Sequence, residues 1–342
     1  MTQTAGISPG SEAGTQEIDP ELTTALEQHR RELTGYCYRM LGGAFDAEDA
    51  VQETLLRAWR SYDRFEGRSS LRTWLYRIAG NVCLDMLGSA RAKRERPMGL
   101  GAASEPVVES LAAELPEERW IEPVPDDRVL PGPGDPADTA VARESVRLAF
   151  VAALQTLPAK QRAVLVLREV LRWPAQEVAD LLETSVPSVN SALQRARATL
   201  AERDLHLDEA SVTPRTEPTE AESALLERYI DAFERYDMTA LSALLREDAV
   251  MNMPPYAMWL QGVEHIQEWM LGVGSGCRGS RCVPVRANGS LAYGQYRPDP
   301  DGGWFPWGLA VLEDDGEKVT GITTFRSPER LFPLFGLPGH LD

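Results

Sequence analysis

The stretch Trp173 to Leu200, WPAQEVADLLETSVPSVNSALQRARATL, decides how the rest of the chain is read. Val178, Ala179, Leu181 and Leu182 recur on one helical face and stop at Glu183-Thr184-Ser185. Ser185 is placed as an N-cap, its hydroxyl accepting one of the backbone N–H groups that a helix start leaves unpaired. In the helix that follows, Val189, Leu193, Ala196 and Leu200 fall on the inward face, while Ser188, Asn190, Ser191, Gln194, Arg195 and Arg197 face outward. Short polar donors and guanidiniums are the groups that read base edges and phosphates in a major groove. Pro174 and Pro187 sit where helices begin, which the first turn tolerates. Glu183 occupies the bend, where left-handed geometry usually brings a glycine and a side chain costs ~1 kcal/mol. The pattern predicts a helix-turn-helix. A surface hairpin with an ordinary polar face has the same pattern, so a second motif has to decide.

That motif lies upstream, in DAEDAVQETLLRAWRSYDRFEGRSSLRTWLYRIAGNVCLDML (46–87). Asp46, Glu48, Asp49 and Glu53 form an acidic cluster with Gln52 and Arg57 on a helix whose apolar face is Ala50, Val51, Thr54, Leu55 and Ala58. A loop with Phe65, Arg68, Ser69 and Ser70 leads into a second helix. Leu71, Leu75, Ile78 and Val82 point inward there, and Arg72, Trp74, Tyr76, Arg77 and Asn81 lie outward or at the edge. Aromatics among arginines suit unstacked single-stranded bases, since every base offers a π-face and Arg adds a cation–π contribution. The plainer reading makes Trp74 and Tyr76 core and rim residues of a small bundle.

With both motifs in order, the chain over roughly 27–205 resembles an extracytoplasmic-function (ECF) sigma factor of bacterial RNA polymerase. The resemblance implies that Asp46, Glu48, Asp49, Gln52, Glu53 and Arg57 dock on the clamp of the largest polymerase subunit, with the flap holding region 4. It implies that Phe65 to Ser70 capture a flipped base, at a few kcal/mol of unstacking, and that Arg72, Trp74, Tyr76, Arg77 and Asn81 serve the minus-ten element. Ser185, Ser188, Asn190, Ser191, Gln194, Arg195 and Arg197 would read the minus-35 element as duplex. The implied partners are core RNA polymerase and promoter DNA, with an anti-sigma factor or a small ligand as further candidates.

Charge and composition set the organisation. The net charge of −17 argues against a general nucleic-acid binder. Residues 27–96, the region 2 of the resemblance, carry +3 and residues 143–205, its region 4, carry +2, whereas 1–26, 97–142 and 206–342 carry −4, −8 and −10. Two mildly basic modules neutralise few phosphates, so affinity for bare DNA is expected to be weak. Residues 97–142 hold eight prolines and ten acids and read as an extended, poorly ordered linker that would thread the polymerase interior. Residues 1–26 read as a disordered tail and 206–220 as a spacer. No run is apolar enough to span a bilayer, no signal peptide is visible, and cytoplasmic residence is expected. Cys37 and Cys83 sit in apolar helical patterns as reduced thiols. Cys277 and Cys282 lie five apart in a Gly/Arg loop with no His to complete a metal site, so neither metal nor cofactor is expected.

Past the spacer the pattern becomes α+β. Helices at about 221–236, 238–246 and 262–271 accompany strand-like runs at Ala249–Met253, Met258–Leu260, Val283–Ala287, Ser290–Arg297, Phe305–Leu312 and Lys318–Phe325. Residues 221–335, from LLERYIDAFERYDM to WFPWGLAVLEDDGEKVTGITTF, resemble the cone-shaped fold of nuclear transport factor 2 and SnoaL. The expected whole is multidomain: two all-α domains, a region 2 bundle and a region 4 helix-turn-helix, plus a C-terminal α+β cone. Met251, Met253, Tyr256, Trp259, Tyr293 and Trp304, with Trp269 and Trp307, are candidates to line a ligand pocket. Asp248, His265, Tyr256 and Asn252 make no acid–base pair at a defensible spacing, so no catalysis is expected. The alternative to a promoter-specificity subunit is a stand-alone helix-turn-helix regulator with a ligand-sensing domain, which has no use for a melting helix.

Overall fold

The computed structural model describes residues 20–88, 94, 96, 101–131, 141–202 and 219–342. The first unit packs α1 (Pro20–Glu27), α2 (Arg30–Leu41), α3 (Ala44–Ser61) and α4 (Leu71–Gly88). Gly42 at φ 75 closes α2 with a left-handed cap, returning its N–H to the Tyr38 carbonyl. Ala47, Ala50, Val51, Thr54, Leu55 and Ala58 form the buried stripe of α3, where small side chains let the helices approach closely. The expected disordered tail does not extend to residue 26. Pro20–Glu27 is a helix because Leu22 and Leu26, four apart, both reach the core; residues 1–19 lie outside the described part.

Region 4 consists of α5 (Leu148–Thr156), α6 (Ala159–Leu165), a π turn (Val166–Val170), α7 (Ala175–Leu181) and α8 (Val186–Ala201). In the C-terminal domain, α9 (Glu220–Glu234) opens on a capping box between Thr219 and Glu222. α10 (Met238–Ala243) is capped by Asp237. There follow β1 (Leu245–Asn252), β2 (Trp259–Gln261), α11 (Val263–Leu271), β3 (Arg281–Ala287), β4 (Ser290–Pro298), β5 (Trp304–Asp314), β6 (Val319–Phe325) and α12 (Pro328–Leu334). One sheet in the order β2-β1-β6-β5-β4-β3 holds all six expected strands, and β1 runs parallel to β6. The domain is the expected cone of curved sheet and helices. The second helix stops at Ala243 rather than near 246, because Leu245 is already paired to Val319 as strand.

Both faces of this sheet are covered. Met251, Leu291, Tyr293, Ala310, Leu312 and Ile322 face α9 and α11 in one apolar cluster. Their alternates Ala292, Tyr296, Leu309, Val311 and Phe325 belong to the cluster that also contains the cores of regions 2 and 4. The C-terminal domain is therefore packed into the sigma-like helices, not appended to them.

The linker departs most from expectation. Its described part, residues 101–131, carries short helical turns at Val108–Leu111, Glu117–Arg119 and Asp126–Val129 and is seated on the domains. Trp120, Ile121, Val124 and Val129 are buried. Backbone bonds run from Ser104 to Trp259, Leu115 to Pro255, and Glu122 to Gly42. Some of its acids are matched as well: Glu117 pairs with Arg330, and Asp126 with Arg286 and the Gly289 N–H. Four apolar side chains, spaced among prolines, supply the anchoring that the overall composition conceals.

Candidate polymerase and promoter interfaces

The recognition helix is built as read. Ser185 Oγ accepts the Ser188 N–H at 3.3 Å, and Glu183 turns the bend at φ +50. Val189, Leu193, Ala196 and Leu200 are buried, and Ser185, Ser188, Asn190, Ser191, Gln194, Arg195 and Arg197 are all exposed. Arg197 reaches Glu169 at 2.7 Å, an exposed pair that a phosphate can displace at little cost.

On α3 the acidic cluster is largely tied within the chain. Asp46 pairs with buried Arg94 at 2.7 Å, Glu48 with Arg30 at 3.0 Å, and Glu53 with Arg57 at 2.6 Å. Asp49 and Gln52 are exposed. The loop after α3 stands on an aromatic cluster: Phe65 lies 4.9 Å from Trp74 and 6.0 Å from Tyr62, centroid to centroid. Arg68, Ser69 and Ser70 are exposed, and Ser70 Oγ caps α4 through the Thr73 N–H at 3.1 Å.

Tyr76 corrects the sequence reading. It is fully buried, its hydroxyl donating to Glu32 at 3.2 Å and its ring 5.3 Å from Tyr36 and 5.0 Å from Trp173. Burial pushes its phenol far above the usual range, reinforced by the Glu32 carboxylate. One helical turn holds both Arg72 and Tyr76, and the bundle takes the aromatic inward. Arg72 bonds Glu32 at 2.7 Å and lies over the Trp173 ring. Arg77 gives Nη2–H to the Asp180 carbonyl at 3.2 Å, and Asn81 is exposed. Region 4 thus stands on part of the α4 face that the sequence assigned to the minus-ten element.

Residues that sequence reasoning passed over hold this arrangement. Arg39 of α2 donates to Ser145 Oγ and the Ala142 carbonyl at 2.9 Å each. Arg162 of α6 donates to the Met40 carbonyl. Burial lowers both guanidiniums to about 10. The Asn288 amide, at the β3–β4 turn, donates to Tyr38 Oη at 2.6 Å and the Val146 carbonyl at 2.8 Å, and accepts the Val124 N–H at 3.0 Å. One side chain joins region 2, linker, region 4 and C-terminal domain. In the sequence Asn288-Gly289 signalled only a turn.

The C-terminal pocket candidates do not converge. Met251, Met253, Tyr293, Trp269 and Trp307 are buried in the domain core, with Tyr256 packed at its edge. Trp259 bonds the Gly101 carbonyl of the linker at 3.1 Å, and Trp304 bonds the Gly279 carbonyl at 2.9 Å. Asp248 is exposed and paired with Arg246, His265 is exposed against the Gln261 carbonyl, and Asn252 is buried.

Residues 25–93 match the Sigma-70 region 2 family and 147–200 the Sigma-70, region 4 family. The ECF RNA polymerase sigma factor SigG of Mycobacterium tuberculosis is 45% identical over 330 residues, covering 94% of this chain and 85% of that protein. The chain belongs to the ECF RNA polymerase sigma factors. This sigma factor is also 28% identical to SigJ of Mycobacterium tuberculosis, over 90% of the chain and 91% of that protein. The crystal structure of that organism's SigJ shares the fold, with a TM-score of 0.58 at 22% identity over 94% of this chain and all of that one. As a sigma factor the protein serves transcription initiation by binding core RNA polymerase and promoter DNA. No helix among its described residues is long and apolar enough to cross a membrane.

Proposed function

We propose that this sigma factor is held closed by its C-terminal domain and opens on core polymerase to read a two-part promoter. The observation that carries the reading is the cover over α4: Trp173 against Arg72 and Tyr76, and the Asp180 carbonyl on Arg77. Modules that touch read neighbouring base pairs. Elements named for positions 10 and 35 lie roughly 25 base pairs apart, on the order of 80 Å of duplex. Residues 97–142, drawn out, reach on the order of 150 Å, so release of the linker is sufficient to separate the modules.

In the open form, Asp49 and Gln52, with Asp46, Glu48, Glu53 and Arg57 freed from partners such as Arg94 and Arg30, meet the clamp, and the flap takes region 4. Phe65 and Trp74, with Arg68 to Ser70, receive an unstacked base; Arg72, Arg77 and Asn81 grip the strand. The exposed face of α8 reads the minus-35 duplex. The protein works in the cytoplasm, without catalysis of its own. Asn288→Ala tests this reading. Small-angle scattering should show a larger radius of gyration for the variant, and run-off transcription at limiting sigma should rise. Expansion without any change in transcription at every promoter tried would exclude closure as the control.

A further inference from the structure

The C-terminal cone contains two arginines that no carboxylate among the described residues neutralises. Arg297 on β4 and Arg326, just past β6, stack on Trp307 with guanidinium carbons 3.9 and 3.8 Å from the ring centroid. Two guanidiniums at that range cannot share one face, so the indole is held between them. Neither has an ion-pair partner among the described residues, although residues 206–342 carry ten more acids than bases. Arg297 gives one Nη2–H to the Cys277 thiol at 3.1 Å, a weak acceptor, and its Nε is buried without a partner. Arg326 uses Nε on the Trp307 carbonyl at 3.2 Å.

A glycine makes room on one side: a Cβ at Gly276 would stand 3.3 Å from Arg297 Nη1. Burial, then the charge of Arg297, holds the Arg326 guanidinium below the usual arginine range. Like charges sharing a half-buried site repel more strongly than in water, and unpaired donors in such a place want acceptors.

We propose that Arg297 and Arg326, clasping Trp307, form a binding site for a small multivalent oxyanion, either a phosphate ester or a di- or tricarboxylate. Such a ligand carries more charge and more acceptor oxygens than a lone carboxylate, so it can satisfy the free donors of both guanidiniums at once. The site abuts the linker: Ser327 and Arg330, next along the chain, both bond Glu117. Binding itself does not depend on the closure proposed above.

The test is thermal unfolding of the full chain, without polymerase, in inorganic phosphate, citrate, acetate or chloride at matched ionic strength. Phosphate or citrate should raise Tm by several degrees over chloride and acetate should not, and the stronger of the two names the ligand class. The double variant Arg297→Met, Arg326→Met should keep only the general stabilisation that excluded salts give every protein. In chloride it should melt no lower than the parent, because the repulsion is gone. Equal phosphate and citrate responses in parent and variant, or no response in either, overturn the site. Should the double variant not fold, Arg326→Gln titrated calorimetrically with phosphate and citrate decides instead. A Kd at least tenfold weaker than the parent's supports the proposal; an unchanged one, or no binding by the parent, overturns it.

Discussion

Asn288 sits at φ +56 on the β3–β4 turn, a conformation asparagine tolerates better than most side chains. Its three buried hydrogen bonds span sequence separations of 250, 142 and 164 residues. Asn288→Ala removes all three and leaves an alanine in left-handed geometry, so we expect a loss of roughly 3–4 kcal/mol in urea unfolding. Glu183 is the opposite case. At φ +50 it strains the helix-turn-helix bend, and Glu183→Gly should stabilise region 4 by about 0.5–1 kcal/mol. Ser185→Ala should cost about 1 kcal/mol through the lost cap. Both can be followed by the melting of helical circular dichroism. Glu183 and Ser185 were legible in the sequence because their partners lie within a few residues. Asn288 was not, because its partners lie on other domains.

Among the helices, α4 and α8 divide the work differently from the way their sequences suggest. The exposed face of α8 follows from its 3.6-residue period alone. Arg195→Ala should therefore weaken promoter binding by the holoenzyme and lower the salt slope by about 1 if the contact is to a phosphate. On α4, the period places Trp74 and Tyr76 within reach of either side, and packing chose between them. Trp74→Ala should reduce strand opening, seen as lost permanganate reactivity at the minus-ten element, with roughly 1–3 kcal/mol of stacking at stake. Tyr76→Phe should leave that reactivity unchanged while costing about 1 kcal/mol of stability, since the buried hydroxyl only donates to Glu32. The six strands were readable by alternation and turn residues. Helix α12 was missed because its short segment carries an internal Pro333 and no long apolar period.

Across the assembly, carboxylates tie the start of region 4 to the C-terminal domain, Glu313 from its sheet and Glu222 from α9. Burial alone would raise Glu313, but Arg96, then Arg147 and the Ala149 N–H, hold it below the usual range. Burial likewise opposes Glu222, and the Thr219 N–H and Arg143 outweigh it. Both folded-state values lie below the unfolded one. Their contribution is therefore complete above about pH 4.5 and fades as pH falls through the folded values. Glu122 and Asp126 are raised by burial and act in the reverse sense, gaining protons first. Acidification below about pH 4.5 should thus loosen the region 4 junction before the helices melt. Near-UV circular dichroism should change ahead of the far-UV signal, and Glu313→Gln should flatten that pH dependence.

Helix periods, caps, the strained bend and the six strand runs were all written in neighbouring residues, where backbone geometry translates spacing directly into a face. Family membership followed from two such local motifs in order. The seating of the linker, the inward turn of Tyr76, the cover over α4 and the Arg297–Trp307–Arg326 clasp arise from residues far apart along the chain. They depend on which apolar faces find each other in three dimensions and which buried polar groups are left needing partners, and packing settles both only when every element is in place.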